Sequence, residues 1–327
     1  MANNVLVYDV GDKPKFSKLL GFAFQQVLAV LAATIAVPTM VGMPISIPAA
    51  ILGAGLGTLV YLLFTKFKSP VIISSSFAFL GPLSVAVAFG YLGIIVGSIF
   101  AGSVYVIIAI IIHFTGTDWV NKLLPPVIIG PTVAIIGLSL APNAIGDLLS
   151  GSYKVLDVPT ANPWIALVCG LTTLFTTIAV SVYGKKFIKM IPFICGILAG
   201  YVVAAIFTGI GYAANNDALK VINFELFKSM SWLPEFTFVT AFKGFGDFAN
   251  AGEFFKYFGT IAVLYVPVAF VVFAEHLADH KNLSAVIDRD LLKEPGLHRT
   301  LIGDGIGTAI AALFGAPANT TYGENTG

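Results

Sequence analysis

The residues best placed to do chemistry follow an apolar run: Phe270-Val-Val-Phe-Ala274 leads directly into Glu275-His-Leu-Ala-Asp279-His280. On a helix, Glu275 and Asp279 share one face, and His276 and His280 share the adjacent one. Neither Gly nor Pro interrupts Val268 to Glu294, so a helix can continue well past Glu275 and leave it at mid-membrane depth. A carboxylate there is expensive unless it faces a cavity or a partner, which makes Glu275 a functional candidate. His280 and Lys281 are expected at the solvated cytoplasmic end of the same helix. Asp279 either assists Glu275 in handling protons or shares that solvated end. Paired histidines beside carboxylates also suit zinc. The spacing lacks the internal Glu of His-Glu-x-x-His, however, and so lacks the general base of a metallohydrolase. An intramembrane metallohydrolase is therefore the remote alternative, and no metal is expected.

Two other segments read as copies of one device. Ser74-Ser-Ser-Phe-Ala-Phe-Leu-Gly81 and Asn319-Thr-Thr-Tyr-Gly-Glu-Asn-Thr-Gly327 each place hydroxyl residues, an aromatic and then a small residue inside a hydrophobic region. Ser76, Phe77 and Ala78 match Thr321, Tyr322 and Gly323. Hydroxyl and β-branched residues favour a short extended piece, and the residues after the aromatic can begin a half-helix with open N–H groups. Such groups are ready donors for ligand carbonyls. Ser and Thr also merely pack helices together in membranes. The pairing favours the functional reading, because inverted repeats with broken helices at the midplane are a recurrent transporter plan.

The elements that carry these residues are membrane helices. The chain is 57% hydrophobic and 11% charged, against about 25% charged in soluble domains. Its mean hydropathy is +0.91. About 20 apolar residues suffice to cross a bilayer. Apolar runs extend over Leu19–Pro38, Ile45–Thr65, Ser69–Ile112 (room for two), Leu123–Gly146, Val158–Gly184, Met190–Asn216, Tyr257–Ala274 and Gly305–Gly323. The first has no cleavage site and reads as a retained helix. Most Lys and Arg fall in the head or in alternate loops, among them Lys66, Lys68, Lys122, Lys185, Lys281 and Arg299, which predicts a cytoplasmic N-terminus. The connection 212–256 mixes aromatics with both charge signs and reads as an extracytoplasmic loop lying on the membrane. A net charge of +1 gives no basic field for nucleic acid. Cys169 and Cys195 lie inside apolar runs and predict no disulfide framework.

Ala274-Glu-His276, Pro295-Gly-Leu-His-Arg299 and Asn319-Thr-Thr-Tyr-Gly-Glu-Asn325 together closely resemble the uracil carriers of the nucleobase/ascorbate transporter family, also called nucleobase:cation symporter-2. Gln25, Ala33-Thr34, Gly57-Thr58, Ser75-Ser-Phe-Ala-Phe79 and Pro125-Pro126 agree with it. The resemblance implies an all-α polytopic membrane protein of fourteen segments in two inverted repeats, with a core domain, a gate domain and short strands in segments three and ten. On this plan 1–18 is a cytoplasmic head, 19–115 and 257–327 are core, and 120–211 is gate. The resemblance also implies that Glu275 and Glu324 bind uracil together with the backbone N–H groups of Phe77 and Gly323, that Ala33 and Tyr322 shape apolar walls, and that a proton is the coupling ion with no cofactor. Glu324, where xanthine and urate carriers typically carry Gln, favours uracil; those carriers are the nearer alternative. Asp279 stands where a member of the family has His, so any coupling role of that His does not carry over unchanged. The implied setting is the cell membrane, with room for a homodimer of the full-length protein. Gly327 falls where segment ten should begin. The expectation is that a 327-residue chain does not transport by itself and that its tail from about Ala318 is poorly held.

Overall fold

A computed structural model describes residues 8–42, 45–150, 162–185, 188, 191–222, 224 and 251–323. The helices are α1 (Phe16–Val41), α2 (Ile47–Phe64), α3 (Leu80–Ala86), α4 (Gly90–Thr115), α5 (Asp118–Leu123), α6 (Pro126–Ser150), α7 (Pro163–Tyr183), α8 (Pro192–Ala213), α9 (Ala251–Ile287) and α10 (Leu297–Leu313). Two short strands, β1 (Ile73–Ser75) and β2 (Asn319–Thr321), interrupt this helical order. Seven helical stretches among the described residues are long and apolar enough to cross a bilayer. Their starts follow ordinary capping chemistry. Ser46 accepts from the Ala49 N–H at the head of α2, and Asn162 accepts from the Trp164 N–H at 2.9 Å with Pro163 in the first turn of α7.

The chain divides into two compact units, Met1–Ile136 with Leu233–Gly327, and Gly137–Trp232. In the second unit α7 packs on α8 through Gly196 and Gly200, which lie against Thr173 and Thr177. Cys169 and Cys195 are both free thiols there. Of the connection 212–256, residues 225–250 lie outside the described residues.

In the first unit α10 lies between α2 and α4. A Cβ on Gly102 would sit 2.3 Å from the Gly305 carbonyl oxygen, and one on Gly57 would sit 2.9 Å from that of Gly307. Backbone therefore meets backbone on both sides of α10, the small-residue packing that helices use where lipid removes the hydrophobic drive to associate. Larger apolar groups fill the space beyond these crossings: Phe79 stacks on Tyr265 with ring centroids 5.5 Å apart. At the exposed end of α9, Lys68 hydrogen-bonds Glu294 and holds its carboxyl below the usual range, while Arg289 pairs with Asp9 of the N-terminal head.

The structure redraws the last apolar run. Gly305–Gly323 is not one span: α10 starts at Leu297, ends at Leu313 and carries Asp304 inside it, and the chain then forms β2. Nor is the tail loose from Ala318. Ala318 is buried, and Asn319–Thr321 are buried and paired with β1, because unpaired backbone at membrane depth has no water to satisfy it.

Candidate functional site

The strands cross antiparallel, with Ile73 opposite Thr321, Ser74 opposite Thr320 and Ser75 opposite Asn319. The Ser76 N–H extends the ladder to the Ala318 carbonyl at 3.0 Å. A two-stranded pair is marginal alone; here hydroxyls from three helices and a carboxylate from a fourth hold it. Thr58 of α2 both accepts from the Ile73 N–H and donates to the Ile73 carbonyl, each at 3.1 Å. Thr34 of α1 meets the Ser74 hydroxyl at 2.6 Å, and Thr308 of α10 donates to the Asn319 carbonyl at 3.2 Å. From α9, Asp279 accepts from the Thr321 hydroxyl at 2.7 Å. The Tyr322 hydroxyl closes the arrangement by donating to the Ser75 carbonyl.

Beyond β1 the chain turns into a 3-10 turn at Phe77–Phe79 that runs on into α3. No side chain caps its N-terminal end, so the first amides face whatever occupies the space ahead of them. Helix α9 packs against this turn and against β2. It therefore brings the acidic face read from the sequence to the strand ends. Asp279 is 7% exposed, and its Oδ1 would lie 3.3 Å from a Cβ on Gly323. It is not a solvated helix end. Glu275, one turn earlier, is half-buried. Phe77 is half-buried, Tyr322 is buried and Gly323 is exposed at the end of β2. Ala33 is half-buried on α1, next to Thr34 and its tie to Ser74. Glu324 lies outside the described residues.

His280 departs from expectation. It is fully buried, because α9 continues to Ile287 and the end of α2 closes over it. Its Nδ1 meets the His276 carbonyl at 2.8 Å and its Nε2 meets the Tyr61 hydroxyl at 2.7 Å, which in turn contacts the Ser69 hydroxyl at 2.7 Å. Lys281 is half-buried. The two histidine rings stack 4.1 Å apart. His276 Nδ1 meets Asp304 Oδ2 at 2.8 Å and its Nε2 meets Thr300 Oγ1 at 3.1 Å. All four ring nitrogens thus have protein partners, and among the described residues no group of three ligands is placed to hold a metal.

The sequence profile of the Permease family matches residues 17–327. The chain belongs to the Permease family. Among its relatives are a uracil permease of Bacillus caldolyticus, 37% identical over 99% of this chain and 69% of the relative, and one of Bacillus subtilis, 36% identical over 97% and 68%. The Escherichia coli K12 uracil permease is 33% identical over 97% of this chain and 67% of its own length. The protein is thus a multi-pass membrane permease, a transporter and not an enzyme.

Within this permease the residue that sequence reasoning missed is Asp304. It is fully buried in α10, bonded to His276 and, at 3.5 Å, to Thr308. Counting apolar runs placed it just outside a span that began at Gly305. The available signal was a lone carboxylate between glycines, Gly303-Asp-Gly305, in an otherwise apolar stretch.

Proposed function

We propose that this permease carries uracil into the cell by proton symport through alternating access, with core segments 19–115 and 257–327 holding the base and 120–211 as the gate. The observation that carries this reading is the Asp279–Thr321 hydrogen bond of 2.7 Å, which joins the acidic face of α9 to the end of β2. With α9 packed on the turn after β1 and on β2, this bond supports a site in which carboxylates of α9 and backbone donors of the strand ends act together. Uracil presents the complement, ring N–H donors and carbonyl acceptors. Glu275 and Glu324 take the ring N–H groups, the amides of Phe77 and Gly323 bond the carbonyls, and Ala33 and Tyr322 wall the plane of the base. The relatives' names support uracil over xanthine or urate.

The proton is the only coupling species in this scheme, and no cofactor takes part. In this scheme Glu275 takes a proton from outside and gives it up inside. Asp279 lies one turn from Glu275 on the same helix face and is the second proton-handling group. The N-terminus is cytoplasmic and the membrane is the cell membrane, in keeping with the placement of Lys and Arg. The deciding experiment is thermal unfolding of the purified protein with graded uracil or xanthine. A ligand at 100 times its Kd stabilises by about 2.7 kcal/mol. Stabilisation by uracil at concentrations where xanthine has no effect is expected; equal or stronger stabilisation by xanthine refutes the assignment.

A further inference from the structure

The motif Pro295-Gly-Leu-His-Arg299 takes no part in the site above, yet it borders an apolar cleft. This cleft, of about 520 Å³, lies between the last turns of α2 and α4 and the first turn of α10. Phe64, Ala109, Ile110, Phe114 and Ile302 make its walls almost wholly apolar. Its volume is that of an ordinary ligand pocket. It continues the exposed apolar surface of the helices, where Leu63 is 64% and Ile107 57% exposed.

All the polar groups of the cleft gather at one end. His113 and His298 face each other with ring centroids 5.2 Å apart, and Arg299 stands beside His298. The Arg299 guanidinium has five N–H donors, and one of them is engaged by the Phe64 carbonyl at 3.3 Å. Among the described residues no carboxylate pairs with Arg299 and none lines the cleft. The N-terminus of α10 adds its own positive end. Because three helices end here, this cluster sits at the headgroup level of the membrane face that carries Lys66, Lys68 and Lys293.

We propose that the cleft is a binding site for an anionic phospholipid of the bilayer, with an acyl chain between Phe64, Ile110 and Ile302 and the phosphate against Arg299, His298 and His113. Charge complementarity selects this occupant. A zwitterionic lipid would fill the same apolar walls but bring an ammonium group toward the Arg299 guanidinium. Anchoring α10 to α2 and α4 in this way would make the stability of the carrier depend on the surrounding leaflet.

The test is thermal unfolding of the protein in neutral detergent, titrated with phosphatidylglycerol or with phosphatidylcholine of identical acyl chains. A roughly fivefold lower half-saturating concentration is expected for phosphatidylglycerol, the factor one basic residue carries toward an anionic surface. Arg299→Ala should abolish this preference, Arg299→Lys should restore part of it, and Ile110→Trp, which fills the cleft, should abolish it with Arg299 intact. Equal potency of the two lipids on the unmodified protein overturns the proposal. So does an Ile110→Trp variant that keeps the preference, or inorganic phosphate that reproduces the whole effect without an acyl chain. The unmodified protein alone decides between these outcomes if any variant fails to fold.

Discussion

Replacing Asp304 tests the polar core beneath the site. Thr300 donates its hydroxyl proton to the Leu297 carbonyl at 3.0 Å, so toward His276 it can only accept, and His276 Nε2 carries a hydrogen. One proton then lies between His276 Nδ1 and Asp304 Oδ2, 2.8 Å apart and both fully buried. Asp304→Ala leaves that nitrogen without its partner, which costs about 1–3 kcal/mol for a buried polar group. The cavity left by the carboxyl group adds to this. Interhelical hydrogen bonds in membranes average nearer 0.6 kcal/mol, because the unfolded chain finds other partners in the bilayer. Here the replacement partner would have to reach a nitrogen enclosed by Tyr105 and His280, so the larger figure governs, and about 2–3 kcal/mol is expected. At roughly 2 °C per kcal/mol for a long chain, the melting temperature in detergent should fall by about 5 °C. Asp304→Asn keeps the shape and supplies an N–H to neutral His276, so its loss should stay near 1 kcal/mol. If Asn is as damaging as Ala, the pair is a buried ion pair, whose breakage costs about 3–5 kcal/mol. If Ala costs under about 0.5 kcal/mol, the two side chains do not support each other and the reasoning fails.

If Glu275 and Glu324 bind uracil as proposed, Glu275→Gln and Glu324→Gln each replace a charge-assisted bond with a weaker, partly mismatched one and should cost about 1–3 kcal/mol of binding by calorimetry on the full-length protein. Wild-type affinity in both variants would remove the glutamates from the site. Asp279→Asn in the full-length protein should slow pH-driven uptake in liposomes yet leave uracil affinity nearly intact, since its amide can still accept from Thr321; unchanged uptake would leave it a purely structural clip. Gly102→Val must push α4 off α10, because even a Cβ there would lie 2.3 Å from a carbonyl oxygen, and the protein should lose its sharp melting transition. Tyr61→Phe strips His280 Nε2 and Ser69 of a shared partner and should lower stability by about 1 kcal/mol in the same melting assay.

The contrast between what the sequence revealed and what it concealed has one physical origin. Both strands were legible because hydroxyl and β-branched residues followed by an aromatic are a local pattern, and the length of α9 past Ala274 was legible because no helix breaker follows. Residues that a hydropathy reading treats as the ends of helices were misplaced. His280 was assigned to water and Asp304 to the edge of a run, yet both are wholly buried. A charged or titratable residue ends an apolar window whether or not another helix supplies its partner, and those partners lie far along the chain. His276 and Asp304 are 28 residues apart, and His280 and Tyr61 are 219 apart. Such pairs exist only in the packed bundle, where helices distant in sequence meet.

That packing also explains why the site and the polar core occur together. Two strands inside a membrane expose backbone donors and acceptors that no lipid can satisfy. The chain meets this demand by lining the crossing with Thr34, Thr58, Thr308 and Asp279, each from a different helix. Helices that bring hydroxyls so close must be thin at their contacts, hence glycine at 57, 102, 305 and 307. A carboxylate shut away from water, such as Asp304, then has to find its partner on another helix, and His276 is on the same helix as Glu275 and Asp279. The α9 segment is therefore fixed from one side by the buried pair with α10 and from another by Thr321 of β2. On the proposed reading, a carboxylate held between two such anchors keeps a defined position relative to the strand-end amides, as a small planar ligand with alternating donors and acceptors would require.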